Sequence, residues 1–258
     1  MEQLSSVSIL LVEDNKVNQL VASELLTSEG ATVDIADNGS VGVNMLGAAP
    51  DKYDVILMDI QMPIMDGYEA TIRIRGLLGS DKLPIIAVTA HAMDEDRKRC
   101  KDVGMNGHIS KPLDANVLIN SIVSLLPPRK RLKSSSEEGL GSRIIPPEAW
   151  LAAGINREEV LARLLNKEEL LKAILIEFSK EYDNFSVQLQ KAVEGGQREV
   201  VQFAHTLKGT SGNIGASVVQ ERARALELAV TKEEPDLKDY INALQQAVDP
   251  VLDLVRRL

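Results

Sequence analysis

Two stretches decide the fold: Ile9-Leu10-Leu11-Val12-Glu13-Asp14 and Val55-Ile56-Leu57-Met58-Asp59. Each is a short apolar run that delivers carboxylates at its C-terminal end. Runs of this length, bounded by polar residues, read as buried strands of a parallel sheet. In open α/β sheets ligands sit in the crevice outside the carboxyl ends of the strands. Two such strands side by side therefore bring Glu13, Asp14 and Asp59 into one small pocket. Three acids that close raise one another's pKa unless a cation neutralises them. Oxygen ligands of this kind suit Mg²⁺, which takes one or two carboxylates together with waters and phosphate oxygens. A single acid at a strand end is more often a turn former or a helix cap. For three converging acids that is the weaker explanation.

The pattern around them alternates strand and helix. The strands are Ser8–Val12, Thr32–Ala36, Val55–Met58, Leu83–Val88 and Gly107–Ser110. The helices read as Lys16–Ser28, Ser40–Leu46 closed by Gly47, Asp66–Leu78, Asp94–Val103 and Asp114–Leu126, the last stopped by Pro127-Pro128. Five strand–helix units imply a parallel sheet covered on both faces by right-handed crossovers. Thr89 ends the fourth strand and Lys111 follows the fifth, so both lie at the carboxylate edge. A hydroxyl and an ammonium beside three carboxylates make a poor core but a good phosphoryl site. An aspartate can attack phosphorus, and such transfer depends on positioning and charge neutralisation.

Composition bounds the alternatives. With 258 residues, one or two domains are expected, and an apolar fraction of 44% lets each half bury a core. The net charge is −9, with ten Lys/Arg against eighteen Asp/Glu in residues 1–126. Neither half has the basic surface that nucleic-acid binding requires. A single cysteine, Cys100, excludes a disulfide framework and fits a reducing, cytoplasmic setting. The N-terminus has the acidic Glu2 and no apolar signal core, and no run approaches membrane-spanning length. The chain reads as soluble, with no membrane contact of its own.

Residues 1–126 resemble the receiver domain of two-component response regulators. The likeness is carried by Leu11-Val12-Glu13-Asp14-Asn15, Met58-Asp59-Ile60-Gln61-Met62-Pro63, Asp66-Gly67, Val88-Thr89-Ala90 and Ser110-Lys111-Pro112. It implies that Asp59 is the phosphoacceptor. It implies that Glu13, Asp14 and Asp59 hold Mg²⁺ (Mn²⁺ as a substitute), with the backbone carbonyl of Gln61. It assigns Thr89 to the phosphoryl oxygens and a conformational switch, and Lys111 to the phosphate charge. It also implies a cis Lys111–Pro112 bond and a flavodoxin-like strand order. Many receivers carry a switching Tyr or Phe three residues before the lysine. Here that position is His108, which points to a switch of different character, or one that responds to pH.

Residues 127–145 change character, with Pro127-Pro128, then Arg129-Lys130-Arg131-Leu132-Lys133, then a serine run, and read as a flexible linker. The remainder, 146–258, is helical and net acidic. Leu171, Ile174, Leu175, Phe178, Tyr182, Phe185, Leu189 and Val193 predict one long amphipathic helix ended by Gly195-Gly196. Gln197–Ile214 and Ala216–Val230 follow, and a fourth helix runs from Leu237 through Leu244, kinked or divided by Pro250. Short helices near Pro147–Ala153 and Arg157–Leu165 precede an up-and-down bundle of about four helices.

The second long helix buries Val200, Phe203, Ala204 and Leu207, at spacings of three and four. His205 lies roughly 140° around the helix from Val200, off that stripe. Lone histidines are more often structural than functional, but this one is expected to point away from the core. Val201, Gly209 and Gly212 share its face and read as a bare docking surface for another protein. Lys208, one turn on, stabilises negative charge arriving on the ring. A neutral imidazole nitrogen is a competent phosphoryl nucleophile. The run Phe203-Ala204-His205-Thr206-Leu207-Lys208-Gly209-Thr210-Ser211-Gly212 is similar to the histidine-phosphotransfer (HPt) domain, which implies that His205 carries a phosphoryl group assisted by Lys208.

The expected protein is thus α/β then all-α: a five-stranded doubly wound receiver, 1–126, a linker, 127–145, and an HPt four-helix bundle, 146–258. Together these imply a phosphorelay intermediate, not itself an enzyme, that exchanges phosphoryl groups with a sensor histidine kinase and a downstream response-regulator receiver. The ATP-binding boxes of a kinase are not found in the sequence. Two alternatives stand beside this reading. One is the C-terminal part of a hybrid histidine kinase. The other is a receiver-gated binding module in which His205 is not phosphorylated.

Overall fold

The computed structural model describes residues 2–79, 83–90, 94–126 and 147–256. The linker expected at 127–145 lies outside the described residues. The chain divides into two compact units, Met1–Glu138 and Gly139–Leu258.

In the first unit, β1 (Ser8–Val12), β2 (Thr32–Ala36), β3 (Val55–Asp59), β4 (Ile85–Thr89) and β5 (Gly107–Ser110) form one parallel sheet of order β2-β1-β3-β4-β5. They alternate with α1 (Lys16–Thr27), α2 (Gly39–Ala48), α3 (Gly67–Leu78), α4 (Asp94–Asp102) and α5 (Ala115–Leu125). Every residue of β3 and β4 is buried, so helices cover both faces. That is why these strands are unbroken apolar runs, whereas the edge strand β2 mixes exposed and half-buried residues. Four helices start on side-chain caps. Asn15, Asn38, Asp66 and Asp114 each accept a hydrogen bond from the backbone N–H three residues on, a contact worth about 1 kcal/mol. One helix differs from expectation: α2 continues through Gly47 to Ala48. Its stop is set instead by Pro50, which disfavours helical backbone at the residue before it.

Strand order reverses between β1 and β3, and there the register matters most. Val12 pairs with Met58, Asp59 with Val88, and Thr89 with Ser110. The strands therefore end level, and the residues just beyond them meet at one edge. The Lys111–Pro112 peptide is cis, as the receiver likeness implies.

The second unit is helical: α6 (Pro147–Ala152), α7 (Arg157–Arg163), α8 (Glu168–Glu181), α9 (Phe185–Gly195), α10 (Gln197–Asn213), α11 (Ser217–Thr231) and α12 (Lys238–Val255). α10 packs against α9 and α11, α11 against α12, and α12 against α8. The single helix expected across Leu171–Val193 is in fact two. It breaks at Tyr182-Asp183-Asn184, where two residues of low helix propensity follow one another. Gln188 Nε2 donates to the carbonyl of Glu181 at 2.7 Å, satisfying a group that the break would orphan. The turn also lets Tyr182 reach Phe178, Phe185 and Phe203, with ring centroids 4.8, 6.4 and 6.5 Å away. Conversely, Pro250 does not divide α12, which is helical from Lys238 to Val255. A proline inside a helix costs about 3 kcal/mol. Leu244, Val248, Val251, Leu252, Leu254 and Val255 are buried along this helix, and at about 1.5–3 kcal/mol per side chain their burial outweighs that cost.

Candidate functional site

At the carboxyl edge of the sheet, Glu13, Asp14 and Asp59 each offer a carboxylate oxygen, and these atoms lie within 4.8 Å of one another. The first two follow β1 and the third ends β3, so the switch point of the sheet brings them together. Lys111, delivered by β5, donates from Nζ to Glu13 Oε2 and Asp59 Oδ2, both at 2.8 Å. The ammonium and both carboxylates are almost wholly removed from water. Asn18 Nδ2 donates to Glu13 Oε1 at 2.7 Å, holding that carboxylate in place from α1. Gln61 N lies 3.4 Å from Asp59 Oδ1.

The electrostatics favour a cation. Burial, then the charge of Asp59, raises the Glu13 carboxyl, and the same two causes push Asp14 up to about 6. Burial works to lower the Lys111 ammonium, but Asp59 and Glu13 outweigh it and its pKa is raised. One positive charge thus serves three acids, and the remaining negative charge has no compensation within the cluster. Three oxygen donors this close fit a hard divalent cation of the Mg²⁺ type.

Thr89 is buried at the end of β4, and its carbonyl accepts from Lys111 N at 2.7 Å. It lines a small pocket of about 180 Å³ together with Ile60, Gln61, Asp66, Tyr68, Asp96 and Arg99. His108 stands half-buried on β5, level with Ala87. Burial, and then the nearby Arg97, lower its pKa, so it is neutral at pH 7.

In the helical unit the structure departs from the sequence reading. His205 and Lys208 are buried, at 9% and 5% exposure, not presented on an open face. The expected bare surface is also largely closed, with Gly209 and Gly212 buried and Val201 half-buried. The reason is Glu227 on α11, which reaches across to the histidine. His205 Nδ1 donates to Glu227 Oε1 at 2.8 Å, and Lys208 Nζ to Glu227 Oε2 at 2.6 Å. Burial tends to raise the Glu227 carboxyl, but the hydrogen bonds from His205 and Lys208 overcome it and hold it at about 2. An imidazole that donates from Nδ1 to the carboxylate has, in its neutral form, its lone pair on Nε2. Glu227 had a signal of its own in the sequence. Ala223, Leu226 and Val230 form the buried stripe of α11, and Glu227 falls on that stripe at the i+4 position from Ala223.

Comparison with known proteins agrees with this division. The response regulator receiver domain matches residues 9–123 and the Hpt domain residues 169–254. Probable histidine kinase 2 of Oryza sativa subsp. indica is 39% identical over 137 residues, covering 46% of this chain and 13% of its own length. Signal transduction histidine-protein kinase BarA of Escherichia coli (strain K12) is 29% identical over 262 residues, covering 97% of this chain and 27% of that protein. Sensor protein GacS of Pseudomonas syringae pv. syringae is 26% identical over 249 residues, 93% of this chain and 26% of that protein. The chain therefore spans no more than about a quarter of these relatives. Among solved structures, the receiver domain of sensor histidine kinase PA1611 from Pseudomonas aeruginosa PAO1, with a magnesium ion in its active-site cleft, is 39% identical. It covers 47% of this chain and 98% of that one, with a TM-score of 0.43.

Proposed function

Since this chain belongs to the two-component phosphorelay proteins, joining a response regulator receiver domain to an Hpt domain, we propose that Asp59 and His205 are its two phosphoryl carriers. The observation that carries the reading is the placing of each nucleophile. Asp59 sits in a three-carboxylate pocket with a lysine, and His205 has one ring nitrogen fixed by Glu227.

Transfer to the receiver is an in-line displacement. A carboxylate oxygen of Asp59 forms the new O–P bond while the N–P bond of a phosphohistidine breaks, returning a lone pair to the imidazole. In the reverse direction Nε2 attacks, the acyl phosphate O–P bond breaks, and the ring becomes cationic without releasing a proton. Glu227 stabilises that cation through Nδ1–H, and Lys208 offsets the charge of the arriving phosphoryl group. In the receiver, Lys111 swings from the carboxylates to the phosphoryl oxygens, and the Thr89 hydroxyl donates to them. Glu13, Asp14, Asp59 and the Gln61 carbonyl are the donor set for Mg²⁺, with Mn²⁺ as a substitute. When bound, the ion neutralises charge on the phosphoryl oxygens. His108 occupies the position of the family's switching aromatic.

The domain limits that fit this reading are 1–126 and 146–258, joined by 127–145. The partners are a sensor histidine kinase and a downstream receiver. The kinase is either a separate protein or the remainder of a hybrid kinase, a placement supported by relatives such as BarA that match 97% of this chain over 27% of their length. Neither matched domain is a kinase domain, so the chain itself acts as a carrier. Among the described residues no helix is long and apolar enough to cross a membrane, which supports a cytoplasmic setting. The test is labelling of the full chain by acetyl phosphate with Mg²⁺. Base-labile, hydroxylamine-sensitive label lost in Asp59→Asn, and transfer between receiver and chain lost in His205→Gln, are expected. Equal labelling of Asp59→Asn would sink the assignment.

A further inference from the structure

The first turn of α1 is built unlike the rest of that helix. Val17, Val21, Ala22, Leu25 and Leu26 give it an ordinary apolar buried face, yet Asn18 and Gln19 are buried beside them at 3% and 5% exposure. Buried amides are costly unless their hydrogen bonds are made. Here both amides hold one residue, Glu13. Gln19 Nε2 donates to the Glu13 carbonyl at 2.6 Å, fixing the backbone, and Asn18 Nδ2 donates to Glu13 Oε1 at 2.7 Å, fixing the side chain. Asn15 N adds a longer contact to Oε1, at 3.4 Å. A carboxylate oxygen accepts roughly two hydrogen bonds, so Oε1 is taken up by α1 and its cap. Oε2 lies on the side of the acids, where Lys111 Nζ bridges it to Asp59 Oδ2, at 2.8 Å to each. Glu13 therefore offers the acid cluster a single oxygen.

We propose that Asn18 is a positioning residue that makes the receiver site selective for Mg²⁺ over Ca²⁺, by holding Glu13 to ligation through one oxygen. The inference rests on the reading of Glu13, Asp14 and Asp59 as the donor set for a divalent cation. Mg²⁺ is small, demands near-ideal octahedral geometry and keeps several of its waters. Ca²⁺ is larger and takes about six to eight oxygens, often both from one carboxylate. To give Ca²⁺ both oxygens, Glu13 would have to turn. Asn18, Asn15 N and the pinned backbone all oppose that turn. The same restraint serves Mg²⁺, because Oε2 is already in place. Asn18 acts through Glu13 and is no ligand itself.

The test is calorimetric titration of the full chain with Mg²⁺ and, separately, with Ca²⁺, no phosphodonor being present. The wild-type chain should bind Mg²⁺ the more tightly. Asn18→Ala should weaken Mg²⁺ binding about ten- to a hundredfold, the range for losing a partner that orients a metal ligand. Ca²⁺ binding should weaken about tenfold less, since the freed Oε1 then joins the ion, and the preference narrows by that factor. Asn18→Ser, whose hydroxyl falls short of Oε1, should do the same, and melting in EDTA checks that both variants fold. Gln19→Ala disturbs the same buried turn but leaves the contact to Oε1, so it should move both affinities together. A preference that holds or widens in the folded Asn18 variants overturns the proposal, because an asparagine that only supports the fold loses both ions alike. So does an equal narrowing in Gln19→Ala, or a wild-type chain that favours Ca²⁺. If the wild-type chain takes up neither ion, the reading of the donor set falls, and this proposal with it.

Discussion

Replacing Glu227 by Gln removes one charge from a buried triad and leaves its shape. A carboxyl held at about 2 against an ordinary 4.5 corresponds to roughly 3 kcal/mol in favour of the ionised form when folded. Glutamine keeps one acceptor oxygen, so the expected loss is smaller, about 1–3 kcal/mol. Its pH dependence has a definite sign. Because the folded pKa lies below the unfolded one, the stabilisation is complete above about 4.5 and fades as pH falls towards 2. Urea unfolding of the full chain, followed through the transition of the helical unit, should show Glu227→Gln less stable at pH 7. That gap should be constant down to about pH 5 and shrink below it. Phosphoryl transfer through His205 should slow about five- to thirtyfold, the effect of 1–2 kcal/mol on a barrier, since the ring loses its orienting acceptor. No gap at pH 7, or one that persists unchanged to pH 3, refutes the reasoning.

Two further outcomes follow from the receiver. Asp14, raised to about 6 by burial and then by Asp59, takes up a proton as pH falls through that value, and protons then compete with the metal. Calorimetric Mg²⁺ titration should show affinity dropping between pH 7 and pH 5, and equal affinity at both contradicts the site. Without metal the sign is the opposite: this group lowers stability as pH rises from about 3.8 to about 6, which melting in EDTA will show or exclude. Gly67→Ala places a methyl 2.2 Å from the Asp59 carbonyl oxygen. Thermal melting should reveal a loss of about 1–3 kcal/mol or more, with acetyl phosphate labelling impaired, and a neutral result would show that the turn between β3 and α3 can shift.

The receiver was legible because two independent signals coincide in it. Strands buried on both faces must be apolar throughout, so Val55–Asp59 announces itself, and the polar residues that interrupt such runs fall at the functional edge. The second site was half legible. His205 and Lys208 stand one turn apart on one helix, whereas Glu227 lies twenty-two residues from the histidine, on another. A helical wheel of α10 alone could not show that α11 closes over its imidazole. The breaks were misread for a related reason. Periodicity reports which residues are buried, and burial continues across Tyr182 although the helix does not. At Pro250 burial wins instead, and the helix persists where local chemistry argues for a stop.

Level strand ends have a practical consequence. Glu13, Asp14, Asp59 and Lys111, the groups proposed to serve phosphoryl transfer, leave the sheet at one edge, while the turns Ser28–Ala31, Ala49–Asp54 and Val103–Asn106 enter the strands from the other. A fluorophore or affinity reporter inserted in those turns would stand a strand's length from the chemistry, roughly 17 Å away. The same insertion beyond β1, β3 or β5 would scatter the acids and the lysine, because a shift of one residue turns each side chain to the opposite face.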